Sequence, residues 1–322
     1  MNNEKLSYYG ILGVCYYPEV WPEKMWRDDL KLMYDTGIRL IRIAEFAWGI
    51  IEPREGEYHF ELFDKIISIC EEIGIKVLMC TPTAAVPAWI PQKYPEVMKW
   101  NIQRQPLKYG SRKDLCYSSR AFLKLCDNVV KQLGKHYAKS PSVIGWQIDN
   151  EINCGSHTSY SPEDRRHFIV FLKEKYKTLD ALNAAWGTNF WSQQYSEWEQ
   201  VDLPGETAEA GNPSQLLDEK YFINWQVNYF ASRQVKILKS INSEWIITHN
   251  GAFPNVNLEQ FRKHFDVFGY DQYPSFYHCW QDATINLSKI RGHSNRFWIL
   301  EQVSGPGGKL NFLHPTPEPG QI

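Results

Sequence analysis

Two glutamates in this sequence each follow a short apolar segment, which is where a parallel sheet presents reactive side chains. Glu151 follows the segment Val143–Asn150, and Glu301 follows Phe297–Leu300. A pair of carboxyl groups can hydrolyse a glycosidic bond, because one carboxylic acid protonates the leaving oxygen while the other group attacks the anomeric carbon or activates water. Direct attack requires a separation of about 5–5.5 Å, and activation of water about 6.5–9.5 Å. Sequence spacing does not decide between the two.

Each of these carboxylates also has a plainer interpretation. A glutamate after a strand is often a helix N-cap or a surface residue, so the pair, rather than either member, favours catalysis. Arg42 and Glu45, at the end of an earlier apolar segment, form either an ordinary ion pair or a sugar-binding pair. Catalysis requires an ionised Glu301, which Arg42 or a tyrosine hydroxyl would favour, and a Glu151 that burial keeps protonated.

The elements that would position these residues alternate along the chain. The apolar, β-branched segments predicted as strands are Leu12–Tyr17, Arg39–Glu45, Lys76–Thr81, Val143–Asn150, Trp245–Asn250, Val267–Tyr273 and Phe297–Val303. The amphipathic segments predicted as helices are Glu23–Asp35, Phe60–Ile73, Arg120–Ala138, Pro162–Tyr176, Leu179–Trp186, Ser214–Ile241, Leu258–His264 and Ala283–Arg291. This alternation predicts a parallel sheet covered by helices.

Two features favour a closed barrel over a doubly wound sheet. No glycine-rich fingerprint follows the first strand, where a dinucleotide-binding sheet would carry it. Polar residues end many strands rather than one pair of them, and these are Glu19, Glu45, Thr81, Asn150, Glu151, His249, Asn250, Tyr273 and Glu301. The predicted fold class is therefore α/β, a TIM-type (β/α)8 barrel, with only seven strands evident.

The segment after Glu301 has turn residues and no further strand or helix signal. It contains Gly305–Gly308 and then Pro315, Pro317 and Pro319. No repeat or linker separates a second domain. We expect residues 1–322 to form one catalytic barrel domain that is incomplete at its C-terminus, with the eighth strand and later domains absent.

Composition excludes several functional classes. The chain has 35 Lys+Arg and 37 Asp+Glu, a net charge of −2, and so lacks the basic field that nucleic-acid binding requires. No uninterrupted apolar run approaches the roughly 18 residues of a membrane span, and the N-terminus lacks a signal-peptide pattern. The seven cysteines form no CxxC motif, which indicates reduced thiols. We expect a cytoplasmic protein that binds neither nucleic acid nor membrane.

Five segments together resemble the β-galactosidases of glycoside hydrolase family 42. They are Leu12–Glu19 (LGVCYYPE), Arg42–Trp48 (RIAEFAW), Trp146–Glu151 (WQIDNE), Ala185–Trp191 (AWGTNFW) and Leu300–Gln302 (LEQ). They occur in the family's order, and the similarity extends from about residue 10 to 305.

The resemblance implies a retaining mechanism. Glu151 would be the general acid/base and Glu301 the nucleophile that forms a covalent galactosyl-enzyme. The implied substrate is a β-galactoside oligosaccharide with a terminal β-D-galactosyl residue, and no cofactor is implied. The implied substrate-binding residues are Arg42, Glu45, Arg112, Asn150, Trp191, Tyr273 and Phe312. Arg112 is preferred over Lys113 as the family's basic position, and Phe312 stands where the family usually has tryptophan.

The sequence departs from the family in two further respects. Some members bind a structural zinc through a cysteine cluster, but here only Cys116 and Cys154 lie in the matching segments, with His157 as a further soft ligand. Since tetrahedral zinc needs four ligands, we expect no metal. The family's eighth strand and trimer-forming domain would lie beyond residue 322. We therefore expect open edges on the first and seventh strands, and a homotrimer for a full-length parent.

Two alternatives remain open. One is another retaining glycosidase of the same clan, such as an α-L-arabinopyranosidase, whose sugar differs mainly at the C5 substituent. The other is an inactive truncated barrel that only binds sugar. The pair of glutamates favours an enzyme in either case.

Overall fold

The structure is a computed structural model that describes residues 10–154, 158–251, 256–273, 279–302, 308–309 and 312–313. For residues 279, 280, 282 and the last four of these it describes only the backbone. All seven predicted strands are present, each inside its predicted bounds. They are β1 (Gly13–Cys15), β2 (Leu40–Ile43), β3 (Lys76–Cys80), β4 (Val143–Gln147), β5 (Ile246–Thr248), β6 (Phe268–Gln272) and β7 (Phe297–Gln302).

The strands run parallel and follow one another in chain order. β1 to β5 form one sheet, and β6 pairs with β7 in a second. The two sheets meet beside β5, where the Asp266 N–H donates to the Ile247 carbonyl at 2.9 Å. The Cys15 thiol lies 3.8 Å from the Leu300 carbonyl, so β7 approaches β1. In the described ranges β1 and β7 each pair with one strand, and the seven strands form the arc of an α/β barrel.

Glycine allows two of these strands to approach their neighbours closely. A Cβ on Gly145 in β4 would lie 2.0 Å from the Ile246 carbonyl oxygen, and one on Gly269 in β6 would lie 2.1 Å from the His249 carbonyl oxygen. Both distances are far below van der Waals contact, so the curvature of the sheet at β4, β5 and β6 depends on these glycines.

Helices cover the outside of the arc. They are α1 (Glu23–Asp35), α2 (Trp48–Ile51), α3 (Glu61–Ile73), α4 (Trp89–Lys93), α5 (Arg120–His136), α6 (Pro162–Tyr176), α7 (Leu179–Trp186), α8 (Pro213–Ile241), α9 (Leu258–Phe261) and α10 (Cys279–His293). Every helix predicted from periodicity is present. The sequence does not predict α2 and α4, because a single turn shows no repeat of apolar residues.

Local chemistry explains where the long helices begin and end. The Ser161 hydroxyl accepts from the Asp164 N–H, and the Asp164 carboxylate accepts from the Ser161 N–H, which makes a capping box at the start of α6. Ser119 caps α5, and Gly74 ends α3 with φ of +93°. Even α8, with 29 residues, is not apolar enough to cross a bilayer, and neither is any other helix in the described ranges.

Two short strands that the sequence does not signal follow Glu301. Gly308–Lys309 (β8) and Phe312–Leu313 (β9) form a short antiparallel pair. Strands of two residues are too short to show the alternation that reveals a longer strand, so turn residues were the only signal there.

The buried apolar residues form two clusters. The larger fills the space between the arc and α1, α3, α5 and the C-terminal half of α8. The smaller comprises Phe168, Phe171, Leu172, Leu182, Trp186, Val201, Leu203 and Phe222. α8 contributes Phe222 to the smaller cluster and Phe230 to the larger one, so this helix joins the two.

The cysteines whose side chains are described are all free thiols inside the molecule. They are Cys15, Cys70, Cys80, Cys116, Cys126 and Cys154, of which the first and last are half-buried and the others buried. The prediction of reduced thiols agrees with this arrangement.

Candidate active site

Polar side chains from five strands meet at the carboxyl end of the arc. They are Arg42 and Glu45 at β2, Gln147, Asn150 and Glu151 at β4, Asn250 at β5, Asp271 in β6 and Glu301 in β7. Parallel strands place their carboxyl ends at one edge, and this edge is where barrel enzymes carry their sites.

Arg42 holds two of these carboxylates together. Its Nη2 lies 2.6 Å from Glu45 Oε2 and 2.7 Å from Glu301 Oε1, while Nη1 donates to Gln147 Oε1 at 2.8 Å. The side chain is buried, with 4% of its surface exposed. The guanidinium thus bridges the two carboxylates. Arg42 therefore forms an ion pair with Glu45, and the same guanidinium nitrogen also pairs with Glu301.

Glu45 is held from the other side by a tyrosine. The Tyr17 hydroxyl donates to Glu45 Oε1, and the Cys80 thiol lies 3.9 Å from Oε2. Burial raises the pKa of Glu45, against the opposing effect of Arg42. Glu45 thus anchors Arg42 at the base of the site.

Two basic side chains form ion pairs with the same oxygen of Glu151. Lys113 Nζ lies 2.6 Å and Arg112 Nη2 3.1 Å from Glu151 Oε2. The sequence interpretation favours Arg112, but Lys113 is closer and its side chain is only 6% exposed, against 33% for Arg112. Lys113 has φ of +67°, a left-handed conformation that lets two adjacent side chains face one carboxylate.

The turn that presents Glu151 is strained. Asp149, Glu151 and Asn153 have φ of +53°, +44° and +65°. Each left-handed residue costs about 1–2 kcal/mol, and none of the three is glycine. The neighbouring strand ends hold the turn in place. The Asp149 N–H donates to Thr81 Oγ1 at 2.6 Å, and the Glu151 N–H donates to Asn250 Oδ1 at 2.9 Å.

Asp271 is a third carboxyl group that the sequence interpretation misses. Oxygen atoms of Glu151, Asp271 and Glu301 all lie within 4.8 Å of one another. Asn250 Nδ2 is 2.9 Å from Asp271 Oδ2 and 2.8 Å from Glu301 Oε1. Burial, followed by the charge of Glu301, raises the pKa of Asp271. An aspartate inside an otherwise apolar strand was the available signal, since aspartate is rarely buried without a partner.

Asn150 lies against the proposed acid. Its Nδ2 is 3.4 Å from Glu151 Oε2, and its Oδ1 accepts from Asn250 Nδ2 at 2.9 Å. The Tyr273 hydroxyl donates to Glu301 Oε2 at 2.6 Å, so that tyrosine contacts the second glutamate. Both residues were predicted from the resemblance, and the structure places them beside the carboxyl pair.

Trp191 and Phe312 are placed differently. Trp191 is 60% exposed and stacks on Phe190 with ring centroids 4.8 Å apart. The backbone of Phe312 lies in β9, and its side chain falls outside the described part of the structure.

Cys116, which lies in a segment that matches the family's zinc cluster, contacts a carboxylate and a hydroxyl. Its Sγ lies 3.2 Å from Asp164 Oδ2 and 3.3 Å from Ser161 Oγ, and burial raises the pKa of its thiol. The absence of a metal stays a prediction. His157 lies outside the described residues.

Comparison with known proteins identifies the family of this chain. The family model described as β-galactosidase (Glyco_hydro_42) matches residues 15–322. The β-galactosidase BgaA of a Thermus species is 34% identical over 97% of this chain and 52% of its own length. The β-galactosidase Bga of Halorubrum lacusprofundi is 32% identical over 96% of this chain and 47% of its own length.

A solved structure has the same fold as this chain. The crystal structure of the β-galactosidase from the psychrophilic Marinomonas ef1 superposes with a TM-score of 0.91 at 34% identity, covering 97% of this chain and 51% of that one. The chain spans about half the length of the curated relatives it matches. The fold, the paired glutamates and the match over residues 15–322 lead to one conclusion. The chain belongs to glycoside hydrolase family 42, the β-galactosidases of that name.

Proposed function

We propose that this chain is the catalytic barrel domain of a retaining β-galactosidase, with Glu301 as nucleophile and Glu151 as general acid/base. The observation that carries the proposal is the carboxyl pair, whose oxygens lie within 4.8 Å of each other beside a buried arginine. Oxygens this close favour direct attack on the sugar over activation of a water between the two groups.

In the first step, Glu301 attacks the anomeric carbon of a terminal β-D-galactosyl residue as the bond to the leaving oxygen breaks. Glu151 gives its proton to that oxygen. Arg42 pairs with one oxygen of Glu301, and the Tyr273 hydroxyl donates to the other. The product is a galactosyl ester of Glu301 and a free alcohol.

The charges around the pair explain where the proton comes from. Three cations face four carboxyl groups, and these are Arg42, Arg112 and Lys113 against Glu45, Glu151, Asp271 and Glu301. If all were ionised the site would carry one excess negative charge in a partly buried setting. One bound proton removes that excess, and the carboxyl cluster shares it.

In the second step, Glu151 acts as the base. Esterification removes the negative charge of Glu301, and Lys113 and Arg112 stabilise Glu151 once it is ionised. Glu151 then takes a proton from water, and the resulting hydroxide attacks the galactosyl ester from the face that the leaving group vacated. Glu301 is released and the configuration at the anomeric carbon is retained.

We also propose substrate contacts for the residues around the pair. Asn150 is positioned by Asn250 to donate to the sugar 2-hydroxyl beside Glu151. Arg112 and Tyr273 lie at the exposed rim, and Trp191 would form an outer wall of the site. A cytoplasmic location and a trimeric full-length parent stay predictions of the sequence and of the resemblance.

The test is hydrolysis of 4-nitrophenyl β-D-galactopyranoside by the chain and three variants. Glu301→Ala should lower kcat by roughly 10³-fold or more, because it removes the nucleophile. Glu151→Ala should be rescued by azide, with β-galactosyl azide as product. Glu23→Ala, which removes an exposed carboxylate paired with Lys65, should be unchanged.

Two outcomes would overturn the proposal. One is an inactive parent chain that stays inactive with other aryl β-galactosides. The other is α-galactosyl azide from Glu151→Ala, since that product requires a single displacement.

A further inference from the structure

His249 is a buried histidine directly beneath the turn that presents Glu151. It follows β5 and is 3% exposed, with its ring between Phe261 and Phe265 at centroid distances of 5.1 and 5.8 Å. Its Nδ1 lies 2.7 Å from the Ile148 carbonyl oxygen, and its Nε2 lies 3.3 Å from the Ile152 amide nitrogen.

These two contacts determine the tautomer. A carbonyl oxygen can only accept, so Nδ1 must carry the hydrogen. A backbone N–H can only donate, so Nε2 must offer its lone pair. His249 is therefore neutral with the proton on Nδ1, and it bonds to the backbone on both sides of Asp149, Asn150 and Glu151.

The turn between those two contacts needs such support. Asp149 and Glu151 have positive φ, and no glycine relieves them. The N–H of Glu151 is held by Asn250 Oδ1, and the next N–H, that of Ile152, is held by His249. Adjacent residues of one strand end therefore fix two adjacent amides of the turn.

We propose that His249 is a positioning residue for the general acid/base: by accepting the Ile152 N–H, it keeps Glu151 directed at the leaving oxygen. This inference rests on the proposed function of Glu151. His249 is too deeply buried to touch the sugar, so it acts through the backbone alone.

The surroundings of His249 keep it in the required form. Burial lowers the pKa of His249 to about 4, and the charged groups that act on it are Glu151, Lys113 and Arg42. A proton on Nε2 would point a donor at the Ile152 N–H and break the contact. The ring therefore stays neutral at pH values well above 4.

Three substitutions separate the two contacts. His249→Gln places an acceptor oxygen near the position of Nε2, and His249→Asn keeps only a donor near Nδ1. His249→Phe keeps neither. His264→Phe is the matched control, because His264 packs on the same Phe261 and Phe265 but bonds to Asn228 Oδ1 instead of the turn.

The readout compares kcat/KM for two substrates, since kcat/KM reports the glycosylation step. Lactose needs a proton on its leaving oxygen, whereas 2,4-dinitrophenyl β-D-galactopyranoside does not. We expect His249→Asn and His249→Phe to lose about 10²-fold on lactose and less than about 3-fold on the dinitrophenyl substrate. His249→Gln should recover most of the loss, and His264→Phe should match the parent.

Equal losses on both substrates would overturn the proposal, because misfolding or a disturbed nucleophile affects both. So would an unchanged lactose rate in His249→Phe.

Hydrogen exchange of the Ile152 amide separates this proposal from the proposed function. If the parent cleaves neither substrate, the assignment of Glu151 fails. Faster Ile152 exchange in His249→Phe and His249→Asn alone then supports the holding contact, and unchanged exchange overturns it.

Discussion

Asp271 is the residue whose electrostatics bear most directly on stability. It shares the amide of Asn250 with Glu301 and lies within 4.8 Å of Glu151, yet its Oδ1 is buried without a hydrogen-bond partner in the described residues. A carboxyl group placed in this way is costly to ionise.

The raised pKa of Asp271 determines whether its contribution to stability rises or falls with pH. The folded protein binds a proton at Asp271 more tightly than the unfolded chain does, for which the pKa is about 3.9. The stability that this group contributes is present below that value and is lost as pH rises through the folded pKa.

Replacing Asp271 by asparagine should therefore stabilise the protein at high pH. We expect Asp271→Asn to raise the free energy of unfolding by about 1 kcal/mol or more at pH 8, and by less at pH 5. Urea unfolding at both pH values measures it. Asp35→Asn, at an exposed ion pair with Lys31, should change it by less than about 0.5 kcal/mol at either pH. An equal gain at both pH values for Asp271→Asn would contradict the argument.

Residues that the sequence interpretation misses share one property. Lys113 reaches Glu151 because its own φ is positive, and Asp271 faces the site after a register shift between β6 and β7. The backbone conformation of Lys113 leaves no trace in residue type or spacing, and the position of Asp271 in its segment does not show which way its side chain faces. Glu151 and Glu301, in contrast, are recognisable from the sequence because each comes at the C-terminal end of an apolar segment.

At the scale of elements, the close contact of β4 and β5 depends on the absence of a Cβ atom at Gly145. Gly145→Ala would place a methyl group 2.0 Å from the Ile246 carbonyl oxygen, and β5 is held on its far side by the hydrogen bond from the Asp266 N–H to the Ile247 carbonyl. We expect a loss of at least about 3 kcal/mol in the free energy of unfolding. Urea unfolding followed by circular dichroism measures it.

Gly292 provides the control for that substitution. It lies in α10 and a Cβ there would have no heavy atom within 4 Å. Gly292→Ala should raise the free energy of unfolding by up to about 1 kcal/mol through its helix preference. Similar effects of the two substitutions would show that the approach of β4 to β5 is not tight.

The strands and long helices are predictable because burial imposes a repeat on many residues at once. α1, α6 and α7 begin and end where the sequence predicts, since caps and apolar periodicity agree there. The short α2, α4, β8 and β9 escape prediction because each has too few residues for a repeat. The strained turn after β4 escapes it too, because tertiary contacts, not local preference, hold it.

At the scale of the whole molecule, α8 connects the two apolar clusters. Phe222 lies in the smaller cluster with α6 and α7, and Phe230 stacks on Tyr117 at 4.4 Å in the larger one. The smaller cluster does not contain any strand residue, so it can open without unfolding the sheet.

Truncating Phe222 and truncating Phe230 should therefore speed amide exchange in different parts of the molecule. Each should cost about 3–5 kcal/mol locally. We expect Phe222→Ala to speed amide exchange mainly in α6 and α7, and Phe230→Ala to speed it in α5 and the strands. Hydrogen exchange with mass spectrometry measures both. Uniform acceleration everywhere in Phe222→Ala would show that the two clusters unfold as one.

The buried thiols have a practical consequence for labelling. Burial raises the pKa of all six cysteines whose side chains are described. Maleimides and iodoacetamide react with thiolate, so these six positions are poor targets near neutral pH. A single cysteine introduced on the exposed face of α1 would be modified ahead of them. A fluorophore could then be attached there with those native thiols left in place, and the reacting edge of the barrel would stay unmodified.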